Sequence, residues 1–197
     1  GLMPLLAQNH TVIAPDLPRH AFTRGHDAYA MSLPAMAREV ATLLNALEVE
    51  PAAIIGHSAG AAVALQLALD HAYAGPIVGL NAALRPFTGS IDLVGGAERF
   101  LWRSTHSRIE AEGLACYRTL LKHPGHAGGA LAMMANWDLP GLRARMETIA
   151  NRVLLLHGGL DDLSGKTGLA MLRYRSGPIV AVIDPAFAGA DLHATTG

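Results

Sequence analysis

In PAAIIGHSAGAAVALQLALD, residues Pro51 to Asp70, five apolar or small residues run into Gly56-His57-Ser58-Ala59-Gly60, and a long apolar stretch follows. The leading run, AAIIG, has the fully apolar character of a short buried parallel strand. Ser58 to Leu69 is apolar on every side, as expected of a helix covered by several neighbours. Between them stands G-x-S-x-G. A serine nucleophile must project from a turn so tight that side chains two residues before and after it collide. Gly56 and Gly60 remove those side chains, and Ala59, Ala61 and Ala62 let the helix start close to the strand. Ser58 then sits at a helix N-terminus, where free N–H groups and the positive dipole end favour a developing oxyanion, with the Ala59 N–H as first donor. With 21 Gly in 197 residues, the pattern arises by chance about 0.08 times in such a chain, so its position between strand and helix carries as much weight as the match. The competing reading is a Gly/Ala-rich turn in which Ser58 only caps the helix. His57 shapes the elbow.

The neighbouring segments extend the pattern. HTVIAPD (10–16) reads as a strand ended by proline, and 15–32 as a Pro/Gly-punctuated loop. Ser32 is placed to cap a helix with Pro34 in its first turn. Leu33, Met36, Val40, Leu44 and Leu47 recur there at steps of three and four, so one face is buried. PIVGLN (76–81), RVLLLHGG (152–159) and PIVAVID (178–184) read as further strands, and KTGLAMLRYR as a helix. Residues 86–148 have no strand-like run and read as helical. Strand, helix, strand, helix, strand, helical block, strand, helix, strand is an α/β parallel sheet with a helical insertion.

In enzymes built on this kind of elbow an acid and then a base follow the serine along the chain. Asp161 follows the 152–159 strand in HGGLDD and is the candidate acid, with Asp162 in reserve. His193 alone among the ten histidines lies beyond Asp161, which makes it the candidate base. His123 and His126 stand three apart around Pro124-Gly125 without a thiol or carboxylate beside them, so no metal site is expected there, and no cofactor is implied. A rival motif, GGLDDLSGKTG, falls one residue short of a phosphate-binding loop: Leu160 occupies the place of the first glycine, and Lys166 follows Gly165.

The bulk numbers exclude several classes. A net charge of −1, with 15 Lys and Arg scattered along the chain, argues against a nucleic-acid partner. No apolar run reaches the roughly 18–20 residues of a membrane span. Cys116 is the single cysteine, as in a reducing, cytoplasmic setting.

VIAPDLP, MSLPAMAREVATLLNALEVEPAAIIGHSAGAAVAL, VGLNAALRPF and GGALAMMANWDL together resemble the α/β-hydrolase-fold magnesium chelatase accessory proteins of bacteriochlorophyll synthesis, over residues 1 to about 150. The resemblance implies a core at 1–85, a helical cap at 86–148 and a return to the core at 149–197. It also implies that the first strands and a His-Gly oxyanion loop lie ahead of Gly1, so the chain is N-terminally truncated. Its function would lie in magnesium-tetrapyrrole synthesis, with esterase-type hydrolysis at Ser58 as one possibility. Magnesium chelatase subunits would be partners, and a small apolar ester or tetrapyrrole-type molecule the ligand. A non-catalytic role is the alternative, with Trp102, Met133, Met134 and Trp137 lining the cap around an apolar ring or isoprenoid. The family continues PDLP with Gly-His-Gly, where this chain has Arg19-His20-Ala21, and its usual glycine before the base is Leu192 here. Residues 152–197 also resemble the N-terminal domain of a Rossmann-like family, which implies either a chimera or a nucleotide-binding C-terminal module.

Overall fold

A computed structural model describes residues 2–24, 31–86 and 110–156, together with the backbone of 179–183. Four strands form one sheet in the order β1-β2-β3-β4, all parallel: β1 (Ile54–His57), β2 (Ile77–Leu80), β3 (Val153–Leu156) and β4 (Ile179–Ile183). Parallel neighbours need crossovers, and helix α3 (Ala59–Asp70) supplies the one between β1 and β2. α3 is buried from Ala61 to Leu67, as its all-round apolar sequence requires. It packs against β1, β2 and helix α2 (Leu33–Ala46), while a short helix α1 (Leu2–Leu6) precedes them. β4 pairs with β3, so the 178–184 strand completes the same sheet as the elbow strand.

Ser32 caps α2 as its sequence suggests, its Oγ accepting from the Ala35 N–H at 3.4 Å, with Pro34 in the first turn. Leu33 and Met36 are buried on the expected face. Leu47 is instead 49% exposed, because α2 ends at Ala46 and the chain turns away from the core there. The helical block also stands where it is described: α4 (Ala111–Lys122), α5 (Pro124–Asn136) and α6 (Leu139–Arg145) fill most of 110–148.

Two strand expectations need correction. Residues 10–16 pair with no strand among the described residues, and a strand exists only through hydrogen bonds to a neighbour. β1, expected to be fully buried, carries Ile55 at 41% exposure, since its side chain points to the face opposite Gly56, away from α3.

The core runs from Met31, Leu33 and Met36 through α3 to Ile77, Val153 and Leu155, and takes in Leu139 and Leu142 of α6. Two polar ties close its rim. Asn151 donates to the carbonyls of Tyr73 (2.7 Å) and Gly75 (2.8 Å), joining the entries of β3 and β2. Arg145 pairs with Asp70 at 2.7 Å, fixing α6 to the end of α3.

Candidate active site

Only one residue separates the end of β1 at His57 from the start of α3 at Ala59. That residue, Ser58, has φ 51° and ψ −113°, a conformation non-glycine residues rarely adopt. Such strain persists only where the surroundings over-determine it. Here the Ser58 N–H donates to the Leu80 carbonyl at 2.8 Å, and the Ser58 carbonyl accepts from Ala61 (3.2 Å) and Ala83 (3.1 Å). Its side chain makes no cap hydrogen bond, which removes the plain helix-cap reading. The serine stands at the carboxyl edge of the sheet, half-buried, beside the first N–H groups of α3. Ala59 is the first helical residue, where the expected oxyanion donor belongs.

The glycines divide. A Cβ on Gly56 would lie 2.4 Å from the Ala61 nitrogen and 2.5 Å from the Gly60 carbonyl carbon, so strand and helix meet there at backbone contact. A Cβ on Gly60 would meet nothing within 4 Å. The expectation that both glycines relieve a collision is therefore right for Gly56 and wrong for Gly60, which turns outward on the first turn of α3. His57 is exposed at the end of β1.

Asp161, Asp162, His193, Lys166 and Trp102 lie outside the described residues. β3 and β4 run parallel to β1, so Leu156 and Ile183 end on the same edge as Ser58. Trp137 is not a pocket lining: it is 9% exposed, and its Nε1–H donates to the Met31 carbonyl at 2.9 Å. Met134 is 39% exposed, while Met133 packs against the core. An open cleft of about 500 Å³ lies at the opposite, amino edge, between the end of α2 and residues 71–74. Its lining includes Glu48, His71 and Tyr73 but no serine or cysteine, so it supplies no nucleophile.

The loop after residue 16 is held to the helical block. Arg19 and Ala21, which stand where the resembled family has glycines, adopt φ 58° and 44°, so this chain keeps a glycine-type backbone on residues that favour it less. A Cβ on Gly129 of α5 would sit on the Arg19 carbonyl oxygen, which makes that glycine a requirement of the contact. His126 spends its Nδ1 accepting from the Ala21 N–H at 3.0 Å, and its ring meets His20 edge-on at 5.6 Å. Accepting at Nδ1 requires a neutral ring. Burial lowers the His126 pKa, the neighbouring His20 and His123 lower it further, and Asp16 opposes them. A lowered histidine pKa contributes stability that is present above the ordinary value of 6.5 and lost as the pH falls through it toward the folded value. The melting temperature is expected to drop from about pH 7.5 to about pH 5.5. His126→Asn, whose Oδ1 accepts without titrating, flattens that slope; an unchanged slope in the variant would assign it to other groups.

Parallel strands, a single-residue strand-to-helix turn at a strained serine, and helices inserted after β2 make this an α/β-hydrolase-fold chain. Residues 1–82 match the family model described as alpha/beta hydrolase fold. A solved relative in fold is 2-hydroxy-6-oxo-6-phenylhexa-2,4-dienoate hydrolase from Rhodococcus sp. strain RHA1 (TM-score 0.72, 18% identity, 93% of this chain and 75% of that one). Another is an esterase from Exiguobacterium antarcticum (TM-score 0.63, 15% identity, 85% and 70%). In sequence the chain is similar to the magnesium-chelatase 30 kDa subunit of Rhodobacter capsulatus, 38% identical over 184 residues. That match takes in 81% of this chain and spans 64% of the relative's length. No helix among the described residues is long and apolar enough to cross a membrane.

Proposed function

We propose that the chain acts in magnesium-tetrapyrrole synthesis as a serine-hydrolase-type protein with Ser58 as nucleophile. The observation that carries this is the strained, uncapped Ser58 at the carboxyl edge, because a serine serving only as a cap has no need of that backbone. The Ser58 Oγ attacks an ester carbonyl carbon, its proton passes to His193, and Asp161 holds the imidazole. The Ala59 N–H receives the oxyanion, the leaving alkoxide takes the proton from His193, and water then cleaves the acyl-enzyme. The shared carboxyl edge of β1, β3 and β4 supports this assignment of Asp161 and His193. In this reading 1–85 and 149–197 form the core, 86–148 cap the carboxyl edge, and the protein acts in the cytoplasm on a small apolar ester or tetrapyrrole-type substrate. The test is a fluorophosphonate probe: an adduct is expected at Ser58 and lost in Ser58→Ala. A folded wild-type protein that gains no adduct would exclude the nucleophile.

A second reading is favoured by the name of the Rhodobacter capsulatus relative, a subunit of magnesium chelatase. The chain would then be a non-catalytic accessory that associates with chelatase subunits and holds an apolar tetrapyrrole. Titration with a magnesium porphyrin separates the two: saturable quenching of the porphyrin, unchanged in Ser58→Ala, supports the accessory role, and no spectral change removes it.

A further inference from the structure

Ser58 is not the sole non-glycine residue with a left-handed backbone at this edge. Asn81, at the end of β2, has φ 45°. His57 is opposite Leu80 at the end of the ladder, so Ser58 and Asn81 each stand one residue beyond it. The two turns are joined by hydrogen bonds. The Asn81 N–H donates to the Leu156 carbonyl at 2.8 Å, which ties the turn to the end of β3. Two residues later the Ala83 N–H donates to the Ser58 carbonyl at 3.1 Å. A chain that stayed extended at Asn81 would run on along the strand direction and carry Ala83 away from Ser58. The left-handed residue bends it back, and the buried Ala82 and Leu84 (1% and 0% exposed) anchor the returned segment in the core.

We propose that Asn81 is a positioning residue for Ser58: its left-handed backbone aims the Ala83 N–H at the Ser58 carbonyl and so holds the elbow in its strained form. Asparagine suits the role because it enters this region far more readily than other side chains, whereas a β-branched residue there is a true outlier. The functional weight of the inference rests on the nucleophile reading of Ser58; its geometry does not.

The test is a graded series, Asn81→Gly, Asn81→Ala and Asn81→Val, read by the rate of fluorophosphonate adduct formation at Ser58 and by hydrogen exchange at the Ala83 amide. Melting curves are recorded alongside. Glycine adopts the left-handed backbone freely, so Asn81→Gly keeps both readouts within about twofold. Valine cannot, so Asn81→Val slows labelling about tenfold or more and speeds exchange at Ala83. Asn81→Ala falls between, and its comparison with Asn81→Gly carries the test should the valine variant not fold. Wild-type behaviour in both Val and Ala variants would overturn the proposal. So would an Asn81→Gly variant as impaired as Asn81→Val, which would give the role to the amide side chain. A wild-type protein that gains no adduct removes the nucleophile reading alone, since exchange at Ala83 still decides whether Asn81 holds the turn.

Discussion

Gly56→Ala is expected to abolish labelling at Ser58 and to destabilise the protein by about 3 kcal/mol or more, at the upper end of the cost of overpacking. The added Cβ has no flexible side chain to displace. It meets the backbone of α3 directly, at the Ala61 nitrogen and Cα and the Gly60 carbonyl carbon, all within 2.5 Å. Relief requires the first turn of α3 to move off β1, and that turn holds Ser58 through the Ala61 N–H bond to the Ser58 carbonyl. Stability and labelling therefore fall together. For a chain of this length the loss corresponds to roughly 6–12 °C in melting temperature. Gly60→Ala is the control: its Cβ enters open space on a helix, where alanine is favoured over glycine by about 1 kcal/mol. That variant should melt at or slightly above the wild type and label normally. Equal damage from both substitutions would mean that strand and helix do not meet at Gly56 as described.

The contrast between these two glycines also shows what could be read from the chain. The strand, turn and helix around Ser58 were legible because each is a local property: β-branched apolar residues, then a glycine-flanked serine, then an unbroken apolar run. The Ser32 cap was legible for the same reason, since donor and acceptor stand three residues apart. Which glycine carries the steric burden was not, because it depends on the angle at which α3 leaves β1. Residues 10–16 carry strand-like residues, but a ladder is a property of two segments and their own sequence is silent about the second. Trp137 looked like a ligand platform because an aromatic side chain serves a pocket or a core equally well. Its partner, the Met31 carbonyl, is 106 residues away and invisible to any local pattern. Arg19 and Ala21 made the loop look altered, yet the backbone remains glycine-like at both. Tertiary contacts with α5, through Gly129 and His126, hold it there against local preference.

Trp137→Ala is expected to cost about 3–5 kcal/mol, or roughly 6–20 °C in melting temperature. Trp137 forms the joint between α5 and α6, and its ring is packed into the cluster that includes Met31, Leu139 and Leu142. Truncation leaves a cavity between the helical block and the start of α2, and it leaves the Met31 carbonyl without its buried donor. The two losses can be separated. Trp137→Phe keeps most of the ring and removes only the Nε1–H, so it should cost about 1–3 kcal/mol, the penalty for an unpaired buried polar group. Were Trp137 a lining of a ligand pocket, both variants would melt near the wild type and differ only in porphyrin binding. A large loss of stability in Trp137→Ala, with a smaller loss in Trp137→Phe, instead assigns the residue to the bolt that fastens the helical block to the sheet-covering helices. Urea unfolding of the three proteins measures it, and a Trp137→Ala variant within 1 kcal/mol of the wild type would contradict the assignment.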